Sequence, residues 1–186
     1  MRARAASLMI AGYMALASVQ AVADQKDPRL DDLFAKLQSP STTVAEARRL
    51  DAQIWRIWLQ HPDARTYEAT QIGISAMNGG RARLAELAFT EAIERHPDFA
   101  EAWNKRATLR FIIGDLDGAI KDCAEVLKLE PRHFGALSGL GQIFMAKQEW
   151  ALARRWFEET LKVHPHLPAV EQVIRELDKR IDGEDT

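Results

Sequence analysis

AEAWNKRATLRFIIGDLDGAIKDCAEVLKLEPRH, residues 100–133, decides the fold, because it is the middle of three copies. Its Pro131 lies 34 residues after Pro97 and 34 before Pro165. The same interval relates Ala85, Ala119 and Ala153; Phe89, Cys123 and Phe157; Ile93, Leu127 and Leu161; and Gly73, Ala107 and Gly141. Five columns in register mark an internal repeat, with copies at 66–99, 100–133 and 134–167.

Each copy reads as two helices. The first runs over 66–78, 100–113 and 134–147. It ends at Gly79-Gly80 or Gly114-Asp115, where glycine suits a left-handed cap; Gln148-Glu149 carries a weaker version of that signal. The second runs over 82–95, 116–129 and 150–163 and stops before the proline, which has no N–H to continue the ladder. Small residues (Gly73, Ala107, Gly141 facing Ala85, Ala119, Ala153) stand where two backbones must cross closely, and Phe89, Trp103, Leu137, Phe144 and Phe157 fill the space beside them. Such a hairpin cannot bury its apolar face alone and stacks on its neighbours. Arg106 and Arg110 occupy columns that are Ile72/Leu140 and Ala76/Phe144 elsewhere, and their stems are expected to pack while the heads reach water.

Trp103, Ala107, Gly114-Asp115, Ala119-Ile120 and Leu129-Glu130-Pro131 resemble the tetratricopeptide repeat signature. The chain looks like a small exported bacterial member of that family. The resemblance implies an all-α, right-handed superhelical solenoid whose concave groove holds a peptide segment or helix of another protein. Pro168 to Ile181 has Val170, Val173, Ile174 and Leu177 on one side and reads as the capping helix of 168–186. Leu30 to Leu37 and Val44 to Leu59 form a helical pair within 24–65 that ends in His61-Pro62-Asp63, echoing His96-Pro97-Asp98. It is read as a degenerate repeat capping the N-terminal end.

Helical spacing places on the groove Tyr67, Thr70, Ile74 and Met77 of the first copy. The second copy contributes Glu101, Asn104, Thr108 and Phe111, with Lys105 and Ile112 at the margins, and the third Gly135, Ser138, Gln142 and Met145. Ile74, Met77, Phe111 and Met145 are the apolar members; four such groups on an exposed concavity call for a partner, the alternative being that some of them pack between repeats. Repeat proteins that clamp a chaperone's C-terminal carboxylate need Lys, Asn and Arg converging here. The matching places hold Thr70, Ile74, Gly135 and Gly139, and Asn104-Lys105 stand in exchanged order, so that clamp is absent. A second candidate surface is Trp55 and Trp58, spaced i, i+3, which are expected to be core more than anchor.

Residues 1–23 are a different kind of sequence. Arg2 and Arg4 precede an uncharged stretch from Ala5 to Val19, and Ala21-Val22-Ala23 supplies small residues before the charged run from Asp24. That order is a secretory signal with cleavage between Ala23 and Asp24, and the stretch is too short for a membrane span. The membrane is thus met only in transit, and the expected location is the periplasm, with full secretion as the alternative. The 25 basic and 27 acidic residues give a net charge of −2, with no basic excess of the kind nucleic-acid binding rests on. The single cysteine, Cys123, rules out an internal disulfide.

No catalytic, nucleotide or cofactor motif is present, no small-molecule substrate is implied, and the chain is expected not to be an enzyme. His164 and His166 form the only H-x-H, a distant alternative as ligands of a metal-dependent enzyme; without a third ligand nearby, no metal is expected. The functional expectation is a periplasmic scaffold that helps assemble or regulate an envelope complex. The alternative is an exported chaperone-like or structural factor working through the N-terminal tryptophans.

Overall fold

The computed structural model describes residues 24–184, and the stretch through Ala23 that reads as a signal lies outside them. Every element among the described residues is a helix: α1 (Arg29–Leu37), α2 (Val44–Trp58), α3 (Ala64–Asn78), α4 (Ala82–Arg95), α5 (Ala100–Ile112), α6 (Leu116–Leu129), α7 (Phe134–Ala146), α8 (Trp150–Val163) and α9 (Pro168–Glu184). They pair as α3 with α4, α5 with α6 and α7 with α8, each pair stacking on the next, and α9 closes against α8. This is the expected all-α solenoid of hairpins.

Local chemistry starts and stops the helices. Thr43 and Glu46 form a reciprocal capping box on α2. Asp63 accepts the Thr66 N–H at 2.8 Å to cap α3, and that bond, with the Thr66 hydroxyl, pulls its carboxyl down to about 2. Asp115 caps α6 through the Gly118 N–H at 3.0 Å. Gly80 and Gly114 take φ of 69° and 84° in the turns after α3 and α5. Gln148 stands in the same column at φ 60°, so this residue accepts a left-handed backbone that its two counterparts leave to glycine.

The crossing of each hairpin is a matter of volume. A Cβ on Gly141 would lie 2.7 Å from the Phe157 ring, and one on Gly73 would overlap Phe89. In the middle copy the pair is Ala107 with Cys123, a larger residue on one helix matched by a smaller one on the other. At the C-terminal end Val170, Val173, Ile174 and Leu177 of α9 pack against Ala153 and Phe157, as their shared side predicts.

Two placements differ from what spacing suggests. The heads of Arg106 and Arg110 are taken up by acids of neighbouring helices rather than left to water. Arg106 is buried and forms a bidentate pair with buried Asp122, both contacts at 2.9 Å, and its third nitrogen donates to Thr90 at 3.1 Å. Arg110 donates to Asp122 at 3.0 Å and to Glu86 at 3.2 Å. An acid 12 and 16 residues away captures both guanidiniums, which a single-helix reading does not see. The second placement concerns α1 and α2. They pack on each other around Leu30, Phe34, Leu37, Ile54 and Trp58, and this cluster continues onto Phe134 at the start of α7 and Val163 at the end of α8. The N-terminal hairpin therefore docks on the third repeat.

Candidate functional site

A recess lies between α5 and α7, the first helices of the second and third repeats. Asn104, Lys105, Thr108 and Phe111 come from α5, and Gly135, Gly139, Gln142 and Ile143 from α7; Ala107 and Cys123 lie beneath, and Trp55 of α2 is one wall. The cavity has a volume of about 240 Å³. It exists because Gly135 and Gly139 stand in columns that are Tyr67/Glu101 and Gln71/Lys105 in the other copies. Trp55 fills part of that gap: a Cβ on Gly135 would lie 2.5 Å from the edge of its indole.

The wall is held by a buried polar cluster. Glu101 is 1% exposed and pairs with Lys105 at 2.9 Å, His133 at 3.0 Å and the Asn104 amide at 3.0 Å. Burial pushes its carboxyl up, but the Lys105 ammonium and His133 outweigh that, and the net direction is down. His133 Nδ1 accepts the Ala136 N–H at 3.1 Å, so Nε2 carries the ring proton and donates it to Glu101. Trp58 stacks on the His133 ring with centroids 4.1 Å apart, and Lys105 sits 5.1 Å over Trp55. The charges near the cavity are thus spent on one another. Cys123 is no nucleophile, since burial, with Asp122 nearby, pushes its thiol up to about 12.

Of the residues placed on the groove by spacing, Asn104, Lys105, Thr108, Phe111, Gly135 and Gln142 come together at the cavity. Ile74 and Met77 pack instead into the core between α3, α4 and Leu109, and Met145 packs toward α9. Thr70 is buried with its hydroxyl on the Thr66 carbonyl at 2.8 Å, Ser138 bonds the Gly135 carbonyl at 3.1 Å, and Tyr67 and Ile112 are exposed outside the recess. The four apolar residues do not form one exposed strip, because a residue facing the groove on one helix meets the next repeat at its far end. Spacing along single helices missed Trp55, Ala107, Cys123 and Ile143; the signal for a cavity was the pair of glycines unique to the third copy. The two tryptophans do not form a free surface: Trp58 is 1% exposed, and Trp55 faces Gly135.

His164 and His166 do not converge. His164 is buried edge-on to Phe134 at 5.1 Å, and His166 Nε2 lies 3.3 Å from the Ser39 carbonyl. Among the described residues no group of three or more potential ligands surrounds a metal position, and no helix is long and apolar enough to cross a membrane.

A family profile described as tetratricopeptide repeat matches residues 70–130 and 113–168. This chain belongs to the tetratricopeptide repeat family. A TPR repeat-containing protein of Rhizobium etli is 31% identical over 163 residues, covering 85% of this chain and 77% of that one. Among solved structures, the first TPR of Spaghetti (RPAP3) bound to HSP90 peptide SRMEEVD superposes with a TM-score of 0.61 at 19% identity, covering 63% of this chain and 94% of that one. The TPR2B domain of yeast Sti1 in its pHsp70 complex gives 0.58 at 21%, covering 62% and 98%. At these identities the two structures share the tetratricopeptide fold with this chain. The α1–α2 hairpin precedes the span that the family profile matches.

Proposed function

We propose that this chain is a protein-binding scaffold of a chaperone-like kind, which holds a segment of a partner protein in the recess between α5 and α7. The observation that carries the reading is the cavity floored by Gly135 and Gly139, walled by Trp55 and Phe111 and rimmed by Asn104, Thr108 and Gln142. Its volume suits one bulky side chain, and its rim offers amides and a hydroxyl to a partner backbone. The partner side chain is uncharged, because Lys105 is already paired with Glu101 and no free cation lines the cavity. An acidic tail like the peptide on the Spaghetti TPR would find Gly135, Gly139, Thr70 and Ile74 where a clamp needs charge.

Solved repeats of this fold carrying HSP90 and Hsp70 segments support the chaperone-like form over an adaptor of an envelope complex. Export to the periplasm is part of the proposal and rests on the Arg2/Arg4 start and the Ala21-Val22-Ala23 site. Cleavage before Asp24 leaves every described contact in place, and N-terminal sequencing of the mature protein should begin at Asp24. An intact Met1 on the cell's soluble pool would end the export reading.

The groove is tested with a photo-crosslinking residue at exposed Thr108 and, as control, at exposed Lys121 of α6, followed by mass spectrometry. Thr108 should give a discrete adduct that Lys121 does not, and Phe111→Ala should weaken it about thirtyfold or more, the usual cost of one buried anchor. Identical adducts from both positions would refute the groove.

A further inference from the structure

The hairpin α1–α2 is a foreign body in the repeat pattern, and it reaches the repeats through a seam with unusual chemistry. Of the chain's five histidines, His133, His164 and His166 lie at this seam, and His61 and His96 meet at the joint between α2 and α3. His133 lies under Trp58 and edge-on to Trp55 at 5.5 Å. His164 supports Phe134, which in turn meets Phe34, Trp55 and Trp58. His166 reaches the Ser39 carbonyl in the α1–α2 turn. His61, where the hairpin runs into α3, packs on His96 at 4.4 Å and on Phe99 at 4.7 Å.

The seam also concentrates unsatisfied groups. Trp58 Nε1, Asp51 Oδ1 on α2 and both ring nitrogens of His164 are buried without a hydrogen-bond partner in the protein. Each such group opposes burial, so the apolar contacts of Phe134 and the tryptophans are partly offset. The hydrogen bonds that cross from the hairpin to the end of α8 are long: the Gln38 amide lies 3.4 Å from the Val163 carbonyl and 3.5 Å from that of Lys162. Against these stands one short contact, Arg132 donating to Asp31 of α1 at 2.7 Å with its guanidinium 4.5 Å over Phe34.

We infer that α1–α2 is an acid-released latch on the groove: docked, it sets Trp55 over Gly135 and narrows the recess, and protonation of seam histidines frees it. The inference rests on the groove being the working surface. The charge balance sets the direction. His164 is 1% exposed with no acceptor for either nitrogen; burial first, then His166, hold it down to about 4. His166 is the one titratable neighbour that acts on it, and no carboxylate compensates. Undocked, the ring returns to its ordinary value near 6.5.

Docking is therefore complete above about 6.5 and weakens as pH falls from there toward 4, about tenfold per pH unit. His61 works in the same sense: burial and His96 lower it, against the opposing pull of the Asp63 N–H bond and of Asp24 and Asp63. His133 also lies in the seam, hydrogen-bonded to Glu101, whose carboxylate Lys105 pairs as well. Asp51 carries a carboxyl raised by burial, and its neutralisation resists release at the acid end of the range.

Hydrogen exchange of the full chain at pH 7 and pH 5, corrected for intrinsic rates, reads the latch directly. Amides of α1 and α2 should lose about thirtyfold protection between the two, while α3–α8 hold theirs. His164→Leu should keep the hairpin protected at both values. Gly135→Leu, which drives a side chain into the Trp55 indole, should leave the hairpin unprotected already at pH 7. Unchanged hairpin protection in the wild type, or a fall shared by the repeats, would overturn the latch even if His164→Leu failed to fold. A hairpin that stays protected in Gly135→Leu would also overturn it. The groove reading fails separately: Thr108 then captures no specific adduct at either pH while hairpin release is still seen.

Discussion

Replacing Asp122 by alanine should be among the most damaging single changes in this chain, although Asp122 touches no predicted partner. The carboxylate is buried, takes both nitrogens of the Arg106 fork at 2.9 Å and accepts Arg110 at 3.0 Å. Its loss strands Arg106, which keeps only the Thr90 hydroxyl and the face of the Trp103 ring, neither of them an anion, while Arg110 retains Glu86. Removing one partner of a buried pair leaves a charge without compensation and costs about 3–5 kcal/mol. For a domain of this size that is a fall in Tm of roughly 6–20 °C. The other repeats show the remedy: the column of Arg106 is Ile72 and Leu140, and that of Asp122 is Ala88 and Trp156. The double variant Arg106→Leu/Asp122→Ala should recover to within about 1 kcal/mol of wild type, because an apolar pair of fitting volume replaces a buried ion pair at little cost. Urea unfolding followed by far-UV circular dichroism measures all three proteins. An Asp122→Ala cost below 1 kcal/mol, or a double variant worse than the single, would refute the account of this pair.

Three further outcomes follow from the packing. Gln148→Gly should raise stability by about 1 kcal/mol in the same unfolding assay, since it relieves a left-handed backbone that Gly80 and Gly114 adopt freely; a loss of stability would show that the Gln148 side chain matters more than its φ. Gly141→Ala should cost about 1–3 kcal/mol, because overlap with Phe157 outweighs the better helix propensity of alanine; a more stable variant would mean the crossing has slack. Cys123, with its thiol pushed up to about 12, should resist a thiol reagent at pH 8 in the native protein and react in urea; rapid native labelling would place the sulfur nearer solvent than its burial implies.

The repeat was legible from sequence because everything that builds a hairpin here is short-range. A proline ends a helix wherever it falls, a glycine permits a left-handed turn on its own, and a small residue facing Phe89 or Phe157 enforces a close crossing within one copy. Those demands recur every 34 residues, so their periodicity alone specified six helices and their pairing, and the capping face of α9 came from the helical spacing of its own apolar residues. The candidate site was half legible: Asn104, Lys105, Thr108, Phe111 and Gln142 came from helical spacing, and the glycines of the third copy marked where side chains were missing.

What only the tertiary structure decided involves residues far apart in the chain. Arg106 looked like a snorkelling cation until Asp122 was brought against it from the next helix. Ile74, Met77, Phe111 and Met145 are each half-covered by neighbouring elements, because a stacked repeat buries part of the face that an isolated helix exposes, and of the four Phe111 also lines the cavity. The seat of α1–α2 carries no periodic signature, since a non-repeating element can dock wherever volumes and apolar surface match. Here the missing side chain of Gly135 and the flat face of the His133 ring made room for two tryptophans from about 80 residues earlier, and that fit could be found only after the repeats had stacked.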